Sequence, residues 1–353
     1  MDTESYKLLA EKLDAMPNGF PQSGNGAEIR LLAKLFSPQE AALTASLQPE
    51  LETVESISAR TGADLEDLRK NLKRLSRRGL INAGKTEIGL GYGLMPFVVG
   101  IYEMQVGTMD QELAQLFEDY YLQAFGKMLK VKPQFHRVIP VNETVQNNME
   151  IRPFESAAEI VGAAQSWGVL DCICRKQKAL IGEPCGHPID VCMVMDERPN
   201  AFDRSPIIRS LNQNEAMATL RRAAEAGLVH SVSNNQKGVH YICNCCTCSC
   251  GILRGMSSLG ISNVVAQSAY LNKVDEVLCS GCEDCVKMCQ FDALHVDGVA
   301  VVDQVRCVGC GVCVLACSTG ALGLVRRPEE EILKIPSTLS DWGDQRSASR
   351  GLA

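Results

Sequence analysis

The sequence predicts an α+β chain of several domains, with helical patterns filling the N-terminal half and a cysteine-rich second half. Three observations carry this expectation. At 353 residues the chain exceeds what one small core organises, and length alone suggests two or three domains. All 17 cysteines fall between Cys172 and Cys317, with none in the first 171 residues. Near the C-terminus four cysteines recur at an offset of 28 residues, an internal repeat.

Composition narrows the classes. With 46% hydrophobic and 22% charged residues the chain reads as a soluble globular protein. No apolar run approaches the roughly 18 residues of a membrane span. The richest run, Met95 to Ile101, is short, and Met1 to Met16 has neither a basic leader nor a small-residue cleavage site. A cytoplasmic protein without a membrane span is therefore expected. A net charge of −7 argues against general affinity for nucleic acid or anionic lipid. An odd cysteine count without an export signal does not suit a disulfide framework. In a reducing compartment, clustered cysteines read as metal ligands.

The repeat consists of Cys279-x2-Cys282-x2-Cys285-x3-Cys289 and Cys307-x2-Cys310-x2-Cys313-x3-Cys317. Ala293–Leu294 and Ala321–Leu322 recur at the same offset. Three closely spaced thiolates let one loop wrap three corners of a cubane, and in runs of this spacing the fourth cysteine ligates the other cluster. The expected ligand sets are Cys279, Cys282, Cys285 and Cys317 for one [4Fe–4S] cluster, and Cys307, Cys310, Cys313 and Cys289 for the other. Zinc also takes four thiolates, but it does not require three in one tight loop. From Val274 to Arg326 the sequence resembles the two-cluster bacterial ferredoxins. The resemblance implies a pseudo-twofold pair of short helices with small antiparallel strands, and clusters close enough for electrons to hop between them. It departs from the family at one point: Gln290 and Ser318 stand where proline usually follows the fourth cysteine.

Nine cysteines lie upstream: Cys172, Cys174, Cys185 and Cys192, then Cys243, Cys245, Cys246, Cys248 and Cys250. The apolar run Trp167 to Ile173 reads as a strand, on which Cys172 and Cys174 would share a face. The second group is expected to curl as a loop around metal, with Gly251 easing its exit. Nine thiols suffice for two four-cysteine sites with one left over, or for one site and a reactive group. One or two additional Fe–S clusters are expected here, with zinc as the lesser alternative. From about residue 50 to the tail the chain is similar to uncharacterised ferredoxin-domain proteins of anaerobes, a looser resemblance that implies no substrate.

Residues 28 to 94 read as a winged helix. Thr53 caps one helix and Thr61-Gly62-Ala63 turns the chain. Asp64 caps the next helix, with Asp67 at the capping-box position. Leu65, Leu68, Leu72 and Leu75 form the buried stripe, and Gly79 ends the helix. Leu80–Ile81 and Ile88–Leu90 suggest a wing around Ala83-Gly84-Lys85. The second helix carries Arg69, Lys70, Lys73, Arg74, Arg77 and Arg78, which suit either a DNA groove or a solvated docking face. The acids Asp64, Glu66 and Asp67 and the acidic chain make DNA the less favoured partner. Gly79-x4-Gly84-Lys85-Thr86 matches the phosphate-loop expression, but a helix precedes it and Gly89, Gly91 and Gly93 follow. Nucleotide, NAD and FAD binding are not expected. A long helical pattern runs from Pro96 to Leu129, a strand from Phe135 to Val141 with a structural His136, and a helix over Glu215 to Leu228 leads into a strand to Val232.

The fold class expected is therefore α+β multidomain. It comprises a winged-helix-like domain (1–94), a long helix and connecting strand (95–150), a central Cys-rich α/β domain (151–270), a ferredoxin-like dicluster domain (271–327) and an extended tail (328–353). The expected function is electron transfer, with single electrons passing to or from a partner oxidoreductase or redox protein. The rivals are a redox-sensing regulator that binds DNA through the winged helix, and a reductase with a catalytic Fe–S site among the central cysteines. No acid/base pair or nucleophile triad can be assigned, so a catalytic residue is not named.

Overall fold

In the computed structural model, which describes residues 3–141, 144 and 152–352, the chain divides into two compact units. The first comprises Met1–Met128, Ala179–Glu183 and Arg346–Ala353, and the second Leu129–Lys178 and Pro184–Gln345. No helix among the described residues is long and apolar enough to cross a membrane.

The first unit begins with helices Glu4–Asp14, Ala27–Leu35 and Pro38–Ala45. The last is set by a capping box in which Ser37 and Glu40 satisfy each other's backbone N–H groups. Two helices follow at Val54–Thr61 and Leu65–Arg77, where Thr53 accepts from Ser56 N and Asp64 from Glu66 N and Asp67 N. Leu68, Leu72 and Leu75 are buried, whereas Leu65 is exposed and does not belong to the stripe. A three-stranded sheet completes the group in the order Glu52–Thr53, Gly89–Gly93, Asn82–Thr86.

The hairpin differs from its sequence reading. Its strands pair from Asn82↔Gly93 to Thr86↔Gly89, so the turn lies at Glu87–Ile88 and not at Ala83–Lys85. Leu80 and Ile81 are withdrawn from the strand because the preceding helix uses them to close. Gly79 N donates to Ser76 O and Leu80 N to Leu75 O, a Schellman motif with Gly79 at φ +67. The residues of the phosphate-loop expression thus form a helix end and a strand.

The long helix expected after Pro96 is interrupted. Tyr102–Met104 is a short turn and the main helix runs Gln111–Gln123. Asp110, extended at φ −109 and ψ 174, accepts from Leu113 N and starts the helix afresh. Its aromatic face packs with Phe20, Phe97 and Tyr102, and Tyr102 stacks on Phe117 at 3.8 Å. The end of the 95–150 segment lies outside the described residues.

The second unit is built on a seven-stranded sheet. Its order is Val265–Ala266, His136–Val138, Val229–Ser233, Tyr241–Cys245, Cys192–Asp196, Ser166–Leu170, Arg209–Leu211. Every pairing is antiparallel except Val265–Ala266 with His136–Val138. Helices Ala157–Gly162 and Gln213–Glu225 supply Ile160, Val161, Ala216 and Leu220 to a core shared with Val169, Met193, Met195, Val232 and Ile242.

The C-terminal repeat is equally plain in three dimensions. Helix Asp284–Met288 and strand Leu294–Asp297 recur 28 positions later as Val312–Leu315 and Leu322–Arg326. Leu294–Asp297 pairs antiparallel with Val299–Val302, and Leu322–Arg326 with Tyr270–Val274. Val312 packs with Val141 and Ala224, and Val141 N donates to Cys310 O.

The tail is not an extended arm throughout. It ends in a helix, Leu339–Arg350. Thr338 and Asp341 satisfy each other's backbone N–H groups, a reciprocal cap that starts this helix. Trp342 packs on Phe135 and donates to Gln134 O, so an apolar anchor joins the cap.

Two glycines test how tightly the repeat is packed. Gly309 and Gly320 both sit at φ +68, but a Cβ on Gly309 would stand 2.0 Å from Tyr270 O, whereas Gly320 faces open space. Gly320→Ala is expected to cost about 1–2 kcal/mol, the left-handed penalty alone. Gly309→Ala is expected to cost more than about 4 kcal/mol, because the Tyr270 backbone must move. Anaerobic denaturant titration of both variants checks the contrast.

Candidate metal centres

All 17 cysteines are free thiols of the second unit, and the structure sorts them into three groups. The first is the repeat. In each half a tight loop carries three cysteines into a short helix, with Cys285 in Asp284–Met288 and Cys313 in Val312–Leu315. Electrostatic influence crosses between the halves from the fourth cysteines, and also from Cys285 to Cys313. Cys317 acts electrostatically on Cys285 together with Cys282. Cys289 acts with Cys307 on both Cys310 and Cys313. Burial pushes the Cys310 thiol up to about 12 and raises Cys285 and Cys313 as well. Thiols so placed ionise only when a cation compensates them.

N–H groups already point at the sulfurs. Ala293 N donates to Cys289 Sγ and Ala300 N to Cys279 Sγ, each at 3.3 Å. Buried Asn272 donates from Nδ2 to Cys313 Sγ at 3.0 Å. Ser318 is exposed. Gln290 instead turns its carboxamide toward the central sheet. Its Oε1 accepts from Thr247 N and Oγ1, both at 3.1 Å, and its Nε2 donates to Gly227 O at 3.0 Å.

The second group joins six upstream thiols. Cys172 does not lie on a strand: the strand ends at Leu170, and Cys172 O accepts from Lys176 N to open the helix Ile173–Leu180 that carries Cys174. Nor is the later group all loop. Cys243 and Cys245 share a face of strand Tyr241–Cys245, and only then does the chain turn, with Cys250 N donating to Cys246 O. Thiol hydrogen bonds link Cys172 to Cys174 and Cys192, Cys174 to Cys250, Cys250 to Cys245, and Cys245 to Cys243. The charges of Cys243 and Cys245 are felt at Cys192, which closes the ring.

The third group was only partly legible. Cys185, Cys246 and Cys248 meet His187, and their four ligand atoms lie within 4.8 Å of one another. Cys185 Sγ is 4.0 Å from Cys246 Sγ, and Cys248 Sγ is 3.7 Å from His187 Nδ1. A hydrogen bond donated to the Cys246 thiolate raises His187 to about 8, overcoming its burial. Burial alone would push Cys246 up, but His187, Cys248 and Arg175 bring it down to about 6. His187 was missed by sequence reading. The signal is short: Cys185-Gly186-His187 faces Cys246-Thr247-Cys248, two pairs of ligand types each separated by one residue.

Arg175 lies between the upstream groups and is only 4% exposed. Its Nη1 donates to Asn244 O at 3.1 Å and Cys246 Sγ at 3.7 Å. Its Nε and Nη2 are buried and without a hydrogen-bond partner, while its charge interacts with Cys172 and Cys192. His136 belongs to none of the groups. It is buried, its Nδ1 faces Ser231 Oγ at 3.2 Å and its Nε2 Tyr241 OH at 3.0 Å, and burial lowers it to about 4.

Comparison with known proteins bears on the first group. Neither a curated protein nor a solved structure matches the chain. Residues 278–321, which hold all eight cysteines of the repeat, match the family model of the 4Fe-4S dicluster domain, and on that segment the chain is an iron–sulfur protein.

Proposed function

We propose that the chain passes single electrons between a redox partner and a larger oxidoreductase. The observation that carries this reading is the crosswise approach of the fourth cysteines. It supports Cys279, Cys282, Cys285 and Cys317 as one ligand set, and Cys307, Cys310, Cys313 and Cys289 as the other. Bound there, two [4Fe–4S] clusters supply one-electron carriers. The protein's part is to bury the thiolates, aim N–H groups at them and leave an approach for a partner. Cys282 is exposed, and the neighbouring Val277 and Leu278 present apolar surface, as does Val305 at the equivalent place in the second half. Small apolar patches beside a redox site suit transient docking.

The six-thiol ring is proposed to hold an additional Fe–S cluster. Its six thiols are linked in sequence around the ring by thiol contacts, more than one small ion would need. The partnerless Nε and Nη2 of Arg175 are donors that acceptor sulfurs of such a cluster would satisfy.

For the first unit we favour a winged-helix-like docking role over DNA binding. Three acids of this unit pair with four of the helix's six basic side chains. Arg69 pairs with Glu55 at 2.9 Å, Lys70 with Glu66 at 3.0 Å, and buried Glu40 takes both Arg74 at 3.2 Å and Arg78 at 2.8 Å. A phosphate backbone would have to compete with these acids.

Crosswise ligation has a sharp test. The double variant Cys289→Ala/Cys307→Ala strikes one cluster twice, so half of the repeat's iron and sulfide and one reduced-cluster EPR signal should survive. Cys285→Ala/Cys289→Ala strikes both and should lose both. The reverse outcome rejects crosswise ligation. Removing the Asn272 donor with Asn272→Leu should move the neighbouring cluster to a more negative potential. A hydrogen bond stronger by about 1 kcal/mol in the reduced state corresponds to about 40 mV. EPR-monitored redox titration measures the shift, and an unchanged potential would deny Asn272 any tuning role.

A further inference from the structure

We propose that Cys185, His187, Cys246 and Cys248 form a closed tetrahedral site for one Zn2+ ion, with His187 as the fourth ligand and Gln290 as the positioning residue that holds the Cys246–Cys248 loop through Thr247. This goes beyond the electron-transfer reading and does not rest on it, since zinc carries no electrons.

Spacing is the first argument. Zinc–sulfur bonds of about 2.3 Å place tetrahedral ligands about 3.8 Å apart. The Cys185–Cys246 separation of 4.0 Å and the His187–Cys248 separation of 3.7 Å match one small ion at the centre. The repeat supplies an internal contrast. Its eight cysteines match a domain that binds cubanes, and among the described residues they form no group so close. A cubane carries its thiolates on the outer corners of a four-iron cage and so spreads them. The upstream tetrad is too tight for that cage and the right size for a single metal.

Charge is the second argument. Three thiolates and a dication leave one net negative charge, and the buried guanidinium of Arg175 sits against Cys246 Sγ to balance it. The outer contacts are the third. Ser249 Oγ donates to Cys185 Sγ at 3.3 Å. His187 turns Nδ1 toward the thiols and Nε2 toward the Gln290 carboxamide at 3.5 Å. The Gln290 amide NH2 is a donor and cannot accept from the Nε2–H of a ligating imidazole, so Gln290 serves the site through Thr247 and only packs beside the ring. Thr247, between two of the ligands, is bonded to the same carboxamide through N and Oγ1. Gln290 directly follows Cys289, so the site staples the first cysteine run of the repeat to the central sheet.

The test uses the full-length protein, purified anaerobically from medium containing both iron and zinc. One zinc per chain is expected beside the iron, with three sulfurs and one nitrogen around it by X-ray absorption at the zinc edge. His187→Cys should keep the zinc with an all-sulfur shell. Cys248→Ser, at an exposed ligand, should lose it, with the repeat's EPR signals intact in both variants. Gln290→Ala should weaken zinc retention against a chelator by about tenfold or more. Substoichiometric zinc in the wild type, iron that disappears specifically from Cys248→Ser, or an unchanged nitrogen shell in His187→Cys would each overturn the proposal. Loss of the EPR signals with zinc in place would count against the electron-transfer reading and leave this one standing.

Discussion

The constraint on which the second unit depends is the burial of thiols that must become anions. Cys172, Cys245, Cys246, Cys250, Cys285, Cys307 and Cys313 are all buried. A thiolate taken out of water needs a cation or several N–H groups around it, or it stays protonated. Around the repeat the chain supplies N–H donors from Ala293, Ala300 and Asn272. Around the upstream groups it supplies Arg175 and the Ser249 hydroxyl. These partners come from the chain's own backbone and side chains.

One helix gives two of the three groups a common support. Gln213–Glu225 turns Ala216 and Leu220 into the core of the sheet. Ala223 joins Val191, Leu228 and Cys246 beside the tetrad, and Ala224 joins Val141 and Val312 beneath the repeat. Small side chains at adjacent positions let the backbone come close to two cysteine-bearing loops at once. A bulkier residue at 223 or 224 would have to displace either the Cys246 turn or the Val312 helix.

What was legible in the sequence follows from how local each interaction is. The repeat could be read because each run of four cysteines lies within eleven residues and the spacing recurs 28 positions on. The caps at Thr53 and Asp64 were readable for the same reason. Leu65 fits the helical period, yet it lies in the first turn, before the helix has entered the core. The break at Asp110 and the cap at Thr338 were written in short polar motifs that apolar periodicity conceals. The partition of the nine upstream cysteines was far less legible. It depends on strands Cys192–Asp196 and Tyr241–Cys245 pairing side by side, which brings Cys185 and Cys246 together across 61 positions.

Gln290 shows what a departure from a family pattern can mean physically. Proline after the fourth cysteine would fix the local backbone and end there, since its ring offers no donor or acceptor. Glutamine at that position satisfies Thr247 N, Thr247 Oγ1 and Gly227 O, and it reaches His187. The turn after Cys289 gives up a rigid ring and is held instead by hydrogen bonds to a different part of the fold. Local stiffness has been exchanged for a tertiary tether, and a tether transmits displacement where a ring does not. Any shift of Cys289 on the repeat is therefore felt first at the loop carrying Cys246 and Cys248, through contacts already in place.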